Sequence, residues 1–311
     1  MIYFLEDDRL KEGKSDQKDS IDFRPCLGIF DEKETEEWRD YLEISPIICK
    51  ELFEEKICKF ESHDGFDYIT VTIPNTDIKD DMENKHWIEV YYRSNQLLFF
   101  YEDEEGKQFL DKLLNEIVKK GLKFLSLERI LYEFFDLLTE KDAEYLESIE
   151  EEIFKLEEAL LDSVSNNHIH DIMMIRRELL SWKRYYEQLL HIAEGMQENE
   201  NGLLSNKIAR AFRHLSGRTL RSMDSIVNLS DYVSQVREAY QAQIDIKQNE
   251  IMKLFTVITA IFLPLTLIVG WYGMNLQMPE FQFAYAYPVV IVVSVIVAVT
   301  SYFYLKKKKW F

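Results

Sequence analysis

The feature that most limits what this chain can fold into is a pair of charge-free apolar runs near its end, residues 254–272 and 285–305. Each is close to the ~20 residues a helix needs to cross a hydrocarbon core of about 30 Å. Only residues 273–284 separate them, so a helical hairpin across a membrane is expected. Lys306–Lys309 follow the second run, and the segment between the runs carries no Lys or Arg. Basic residues stay on the cytoplasmic side, which places the C-terminus, and with it everything before the first run, in the cytoplasm. Trp271, Tyr272, Tyr285 and Tyr287 supply an outer aromatic belt, and Tyr302, Tyr304 and Trp310 an inner one.

The first run is not uniformly apolar. Asn249, Met252, Thr256, Thr259, Leu263, Thr266 and Gly270 recur every three to four residues and share one face. The opposite side carries Ile258, Ile261, Phe262, Leu265, Leu267 and Val269. Threonine in such a helix commonly bonds its own i−4 carbonyl, and small or polar stripes also pack helices together. The functional reading is that the stripe lines a water-filled path. Two helices per chain cannot enclose a pore, so that reading requires several copies arranged around the first span. Pro264 frees the Ala260 carbonyl, which either marks a packing kink or a group that faces water.

Ahead of the hairpin the chain reads as cytoplasmic. The N-terminus lacks the basic start and apolar core of a secretory signal. Cys26, Cys49 and Cys58 form no C-x-x-C pair, which fits a reducing compartment and buried thiols. Strands are predicted at 67–73, 86–92 and 96–102, with a hairpin turn at Arg93-Ser94-Asn95. Ser45-Pro46 predicts a helix opening there and running to about Glu55. After Gly106 the pattern turns helical. Leu146, Ile149, Ile153, Leu156 and Leu160 form an apolar seam on an otherwise acidic helix. Residues 163–171 read as a helix–helix turn, a second helix runs to about Gln197, and a third runs unbroken from Leu204 to Trp271.

The fold class expected is an α+β cytoplasmic domain followed by long helices and a two-helix transmembrane hairpin. Its segments are a cytoplasmic α/β domain (1–104), acidic cytoplasmic helices (105–203), a long stalk helix (204–250), a first transmembrane helix (251–272), an external loop (273–284), a second transmembrane helix (285–305) and a basic tail (306–311). Membrane lipid is an expected partner. The formal net charge of −19 argues against nucleic acid, because phosphate binding needs the opposite sign. It suits a protein that gathers cations, although acidity by itself mostly serves solubility. No phosphate loop, nucleophile elbow or His/Cys/carboxylate cluster at ligand spacing is present, so no enzyme is expected. His168-x-His170 reads as part of a polar turn.

"YGMN" at 272–275, "MPE" at 278–280, "YPVV" at 287–290 and the "KKKKW" tail together resemble the CorA-type magnesium transporters. The resemblance covers 249–311 closely, and the acidic helical layout before it agrees in order and length. It implies a funnel-shaped homopentamer with five copies of the long helix around one pore, carrying divalent cations. Gly273, Met274 and Asn275 correspond to the selectivity filter. Gly270, Thr266, Leu263, Thr259, Phe255, Met252 and Asn249 follow inward along the pore. Mg²⁺ keeps its hydration shell tenaciously, and a ring of Asn275 amides accepts hydrogen bonds from that shell without stripping it. Gly273 would let the backbone turn so that Asn275 faces the axis. In the family, cytosolic Mg²⁺ held by acidic residues is credited with closing the pore. Glu238 is placed as one such residue, with Asp77 (Asp80 and Asp81 as rivals) as its partner from the α/β domain. No organic cofactor is implied. The loop has Gln277 where the family often carries an acid, leaving Glu280 to attract cations outside. Zn²⁺ transport within the family, or a membrane-anchored cytosolic scaffold or sensor, are the alternatives.

Overall fold

The strands most strongly marked by β-branched and aromatic residues become interior strands of one seven-stranded sheet. The computed structural model describes residues 1–6, 9–13, 24–42, 44–46, 48–54, 56–73, 85–121, 125–162, 166–275 and 278–308. Its strands are β1 (Ile2–Glu6), β2 (Arg9–Glu12), β3 (Cys26–Phe30), β4 (Lys59–His63), β5 (Phe66–Ile73), β6 (His86–Arg93) and β7 (Gln96–Tyr101). They lie in the order β2-β1-β3-β7-β6-β5-β4. Only β3 and β7 are parallel among these neighbours.

Register decides which side chains stack across the sheet. Phe60 faces Ile69, Ile69 faces Val90, Val90 faces Phe99, and Phe99 faces Ile29. Such cross-strand rows are the unit of sheet stability. On that face Phe99 meets Phe134, their ring centroids 5.0 Å apart. The other face, including Phe30, Tyr68, Tyr91, Leu98 and Phe100, packs with Leu42, Ile48 and Leu52. These come from α1 (Glu32–Leu42), the one-turn α2 (Ile48–Glu51) and the turn after it.

The helices that follow are α3 (Glu104–Lys120), α4 (Leu127–Leu138), α5 (Asp142–Asp162), α6 (Asn166–Glu198), α7 (Asn206–Tyr272) and α8 (Ala286–Lys307). Asp103 caps α3 by accepting from the Gly106 N–H at 2.8 Å, and Gly121 ends it in the left-handed conformation. Amphipathic α4 connects the sheet to α7: Phe134 packs on Phe99, while Phe135 and Tyr132 flank Phe212 at 5.7 and 5.6 Å. Two compact units result. One comprises residues 1–159 and 165–235, the other 160–164 and 236–311.

Four local expectations change. The helix expected from Ser45-Pro46 to Glu55 is only one turn, Ile48–Glu51. Its chain then turns through Phe53 with a positive φ of 65°, and the Phe53 N–H donates to the buried Glu89 carboxylate at 2.9 Å. Residues 166–171 are not a turn but the start of α6, so His168 and His170 are helical. The long helix starts at Asn206, not Leu204, because Asn199 and Gly202 adopt positive φ in the turn before it. Strands β1 to β4 add to the three strands expected at 67–73, 86–92 and 96–102.

Candidate ion-conduction site

In the second unit, α7 runs without interruption through Pro264 to Tyr272. Both α7 and α8 contain a membrane-length apolar window of which only 6% is buried. A core helix of a water-soluble protein would be mostly covered, so these surfaces are made for lipid or for other copies of the chain. On α7 the less exposed positions include Val257, Ile261, Pro264, Ile268 and Tyr272. On α8 they include Ala286, Val290, Ser294, Val297, Ser301 and Leu305. Of the residues expected opposite the stripe, Ile261 and Leu265 lie on this sheltered side, while Ile258, Phe262, Leu267 and Val269 are exposed.

The polar stripe lies elsewhere. Asn249, Met252, Phe255, Thr259, Leu263, Thr266 and Gly270 are all exposed. Thr266 stands two residues beyond Pro264, and Gly270 two beyond Ile268, which is roughly 200° round the helix. Two open concavities on α7 are lined by residues that include Met252, Phe255, Thr259, Leu263, Thr266 and Gly270. The Thr256 hydroxyl donates to the Met252 carbonyl at 2.7 Å, and that of Thr266 to the Phe262 carbonyl at 2.8 Å. Each keeps oxygen lone pairs that water can still use.

The helix ends on the motif. The Gly273 N–H donates to the Val269 carbonyl at 2.8 Å and the Met274 N–H to that of Trp271 at 3.4 Å. Glycine is needed here for a reason other than turning. Gly273 is not among the residues of positive φ, but a Cβ on it would sit 2.9 Å from the Val269 carbonyl oxygen. Close approach, not left-handed backbone, excludes a side chain. A Cβ on Gly270 would meet nothing within 4 Å. Met274 and Asn275 are exposed just beyond the helix, and Glu280 is exposed in the short 3₁₀ turn Pro279–Gln282. Leu276 and Gln277 lie outside the described residues.

Glu238 is exposed on α7. Asp77, Asp80 and Asp81 lie outside the described residues. Sequence reasoning did not single out the one group of three metal-capable side chains found among the described residues, His86, Asp103 and Glu105. His86 Nδ1 is 2.7 Å from Asp103 Oδ2 and 3.9 Å from Glu105 Oε2. Because Asp103 already caps α3 through its other oxygen, the pair fastens the start of α3 to the start of β6.

A family model described as "CorA-like Mg2+ transporter protein" matches residues 29–307. The cobalt/magnesium transport protein CorA of Thermotoga maritima is 32% identical over 182 residues, covering 58% of this chain and 52% of that protein. The magnesium transport protein CorA of Campylobacter jejuni is 28% identical over 249 residues, covering 75% and 74%. The chain thus spans about half of the first relative and three quarters of the second. In fold it is similar to the complete CorA magnesium transporter of Methanocaldococcus jannaschii, with a TM-score of 0.83 at 18% identity, covering 100% of this chain and 98% of that one. A family match over nearly the whole chain agrees with the order of sheet, long helices and terminal hairpin. This chain belongs to the CorA-like Mg²⁺ transporter family.

Proposed function

We propose that the protein is a divalent-cation channel or transporter of the cell (inner) membrane, with Mg²⁺ as its ion, working as a homopentamer around α7. The observation that carries this reading is the exposed polar stripe of α7, which runs into the exposed Gly273-Met274-Asn275 segment and faces away from the side sheltered in the hairpin. Five such stripes would give a path with Asn275 at its outer mouth and Asn249 at its inner end. Amide oxygens of Asn275 would accept hydrogen bonds from the ion's water shell. A carboxylate ring would bind more tightly, and conduction needs easy exit. Met252 and Phe255 are large, apolar and exposed, as rings that close a path by dewetting would be. The membrane potential supplies the drive: a divalent ion crossing about 100 mV, negative inside, gains about 4.6 kcal/mol.

Closure by cytosolic Mg²⁺ would use Glu238 and, from the α/β domain, Asp77. Bound ions would neutralise these carboxylates, and depletion would let them repel and part the subunits. The Thr256 and Thr266 back-bonds are what a packing role alone would also produce, which keeps the membrane-anchored scaffold as the competing reading. Uptake into proteoliposomes separates the two, with Mg²⁺ compared against Zn²⁺, Co²⁺ and Ni²⁺ under an inside-negative potential and low internal Mg²⁺. Flux that Asn275→Ala abolishes while assembly survives is expected. No flux of any divalent ion from the native protein would sink the reading, and flux of Zn²⁺ alone would replace the ion.

A further inference from the structure

A polar cluster buried in the first unit has no part in conduction. Asp142, the first residue of α5, is 6% exposed. Tyr185 and Tyr186 approach Asp142 from α6, their ring centroids 5.4 Å apart, and Thr219, next to Arg218 in the chain, is fully buried on α7. Arg218 Nη2 donates to Asp136 Oδ1 at 2.8 Å and also contacts the Thr139 hydroxyl, so Asp136 is the carboxylate paired with this guanidinium. Five buried atoms remain without a hydrogen-bond partner: Asp142 Oδ2, the hydroxyls of Tyr185, Tyr186 and Thr219, and Arg218 Nε. The Tyr186 hydroxyl lies close enough to Asp142 and Ser222 to interact with both electrostatically, but neither contact meets the distance and angle of a full hydrogen bond.

Native proteins leave very few buried polar atoms unpaired, and ordered water is the usual partner when several gather in one place. The chemistry here suits water and little else. Hydroxyls both donate and accept, a carboxylate accepts, and a protonated carboxyl does both. The Arg218 guanidinium disfavours a metal cation, and Asp142 disfavours an anion. We propose that this cluster is an internal water- and proton-binding site in which Asp142 takes up the proton.

Burial pushes the Asp142 carboxyl up to about 6, with the Tyr186 hydroxyl and Arg218 pulling the other way. The titratable neighbours from the packed elements are Tyr185 and Tyr186 from α6, Tyr145 from α5, Arg218 from α7, Asp136 from α4, and Cys58, which lies near Tyr185. Burial raises the three tyrosines and the Cys58 thiol above their ordinary values, so they stay neutral. Asp142 is therefore raised in the folded protein from an ordinary value near 4. Its contribution to folding is fully present below pH ~4 and is lost as pH rises through about 6. Acidification from pH 7 to 5 tightens the cluster.

The test is hydrogen exchange, corrected for intrinsic rate, on the full chain in detergent at pH 5 and pH 7. Opening of the first turn of α5 and of α7 around Thr219 should be about tenfold rarer at pH 5 than at pH 7, and unchanged between the two in Asp142→Asn. A flat profile in the native chain, or the same tenfold change in the variant, overturns the proposal. Radiolytic hydroxyl-radical footprinting of the native chain tests the water without any variant. Tyr186 should be labelled faster than Tyr68, equally buried but with its hydroxyl held by Glu89; equal rates overturn the water assignment.

Discussion

Asn201→Ala should cost the first unit about 3 kcal/mol, and the cost should depend on pH. Asn201 sits in the turn between α6 and α7 and reaches the β4–β5 hairpin, 134 to 139 residues away in sequence. Its Nδ2 lies 2.9 Å from Ser62 Oγ, 3.0 Å from the Phe66 carbonyl and 2.8 Å from Asp67 Oδ1. Two N–H bonds shared among three acceptors amount to one charge-assisted bond of about 2 kcal/mol and one neutral bond of about 1 kcal/mol. Asp67 is only 3% exposed, so no solvent replaces the donor, and Ser62 at 3.0 Å is left as its side-chain partner. Burial already pushes the Asp67 carboxyl above its ordinary value, while Asn201 and Ser62 pull it down. A carboxyl raised in the folded state favours folding below the unfolded value of about 4, and that contribution fades as pH rises through the folded value. Removing Asn201 raises it further, so the penalty should be greatest near neutral pH and smaller at pH 4. Denaturant titration of the full chain in detergent, followed by tryptophan fluorescence at both pH values, measures this. A loss below about 0.5 kcal/mol, or an equal loss at both pH values, would refute the reasoning.

Three further outcomes are expected. Gly195→Ala drives a Cβ to 2.4 Å from the Phe60 ring where α6 crosses β4, and should destabilise by about 1–3 kcal/mol in the same titration. Phe212→Ala empties a fully buried site between Tyr132 and Phe135 and should cost about 3–5 kcal/mol, loosening the start of α7 in hydrogen exchange. Gly273→Ala should disturb the end of α7 and lower Mg²⁺ uptake in proteoliposomes, whereas Gly270→Ala, with open space round its Cβ, should leave thermal stability unchanged.

The readings from sequence succeeded where the physical constraint is local. β5, β6 and β7 are buried along most of their length, and their Val, Ile, Tyr and Phe content marks them directly. β4, with the sequence Lys-Phe-Glu-Ser-His, is half-buried throughout and mixes charges with one aromatic, so nothing in it distinguishes a strand from a loop. β3 pairs in parallel with β7, some seventy residues on, and antiparallel with β1, and only those distant partners make it a strand. The Asp142 cluster was invisible for the same reason, since four helices contribute to it. At Gly273 the glycine was legible and its reason was not: the Val269 carbonyl 2.9 Å from where a Cβ would stand is a matter of coordinates.

By itself the sequence determined the two membrane-length runs, the orientation to expect of them and the family. A bilayer tests each run of about twenty residues separately, and the Gly-Met-Asn segment occupies the one place where those runs meet. The tertiary structure alone decided the order of the sheet, the aromatic bridge from Phe99 through α4 to Phe212, the hold of Asn201 on Asp67 and the unpaired atoms round Asp142. Each of these depends on which distant group stands opposite. The pattern along a chain says which face is buried, and only packing says against what.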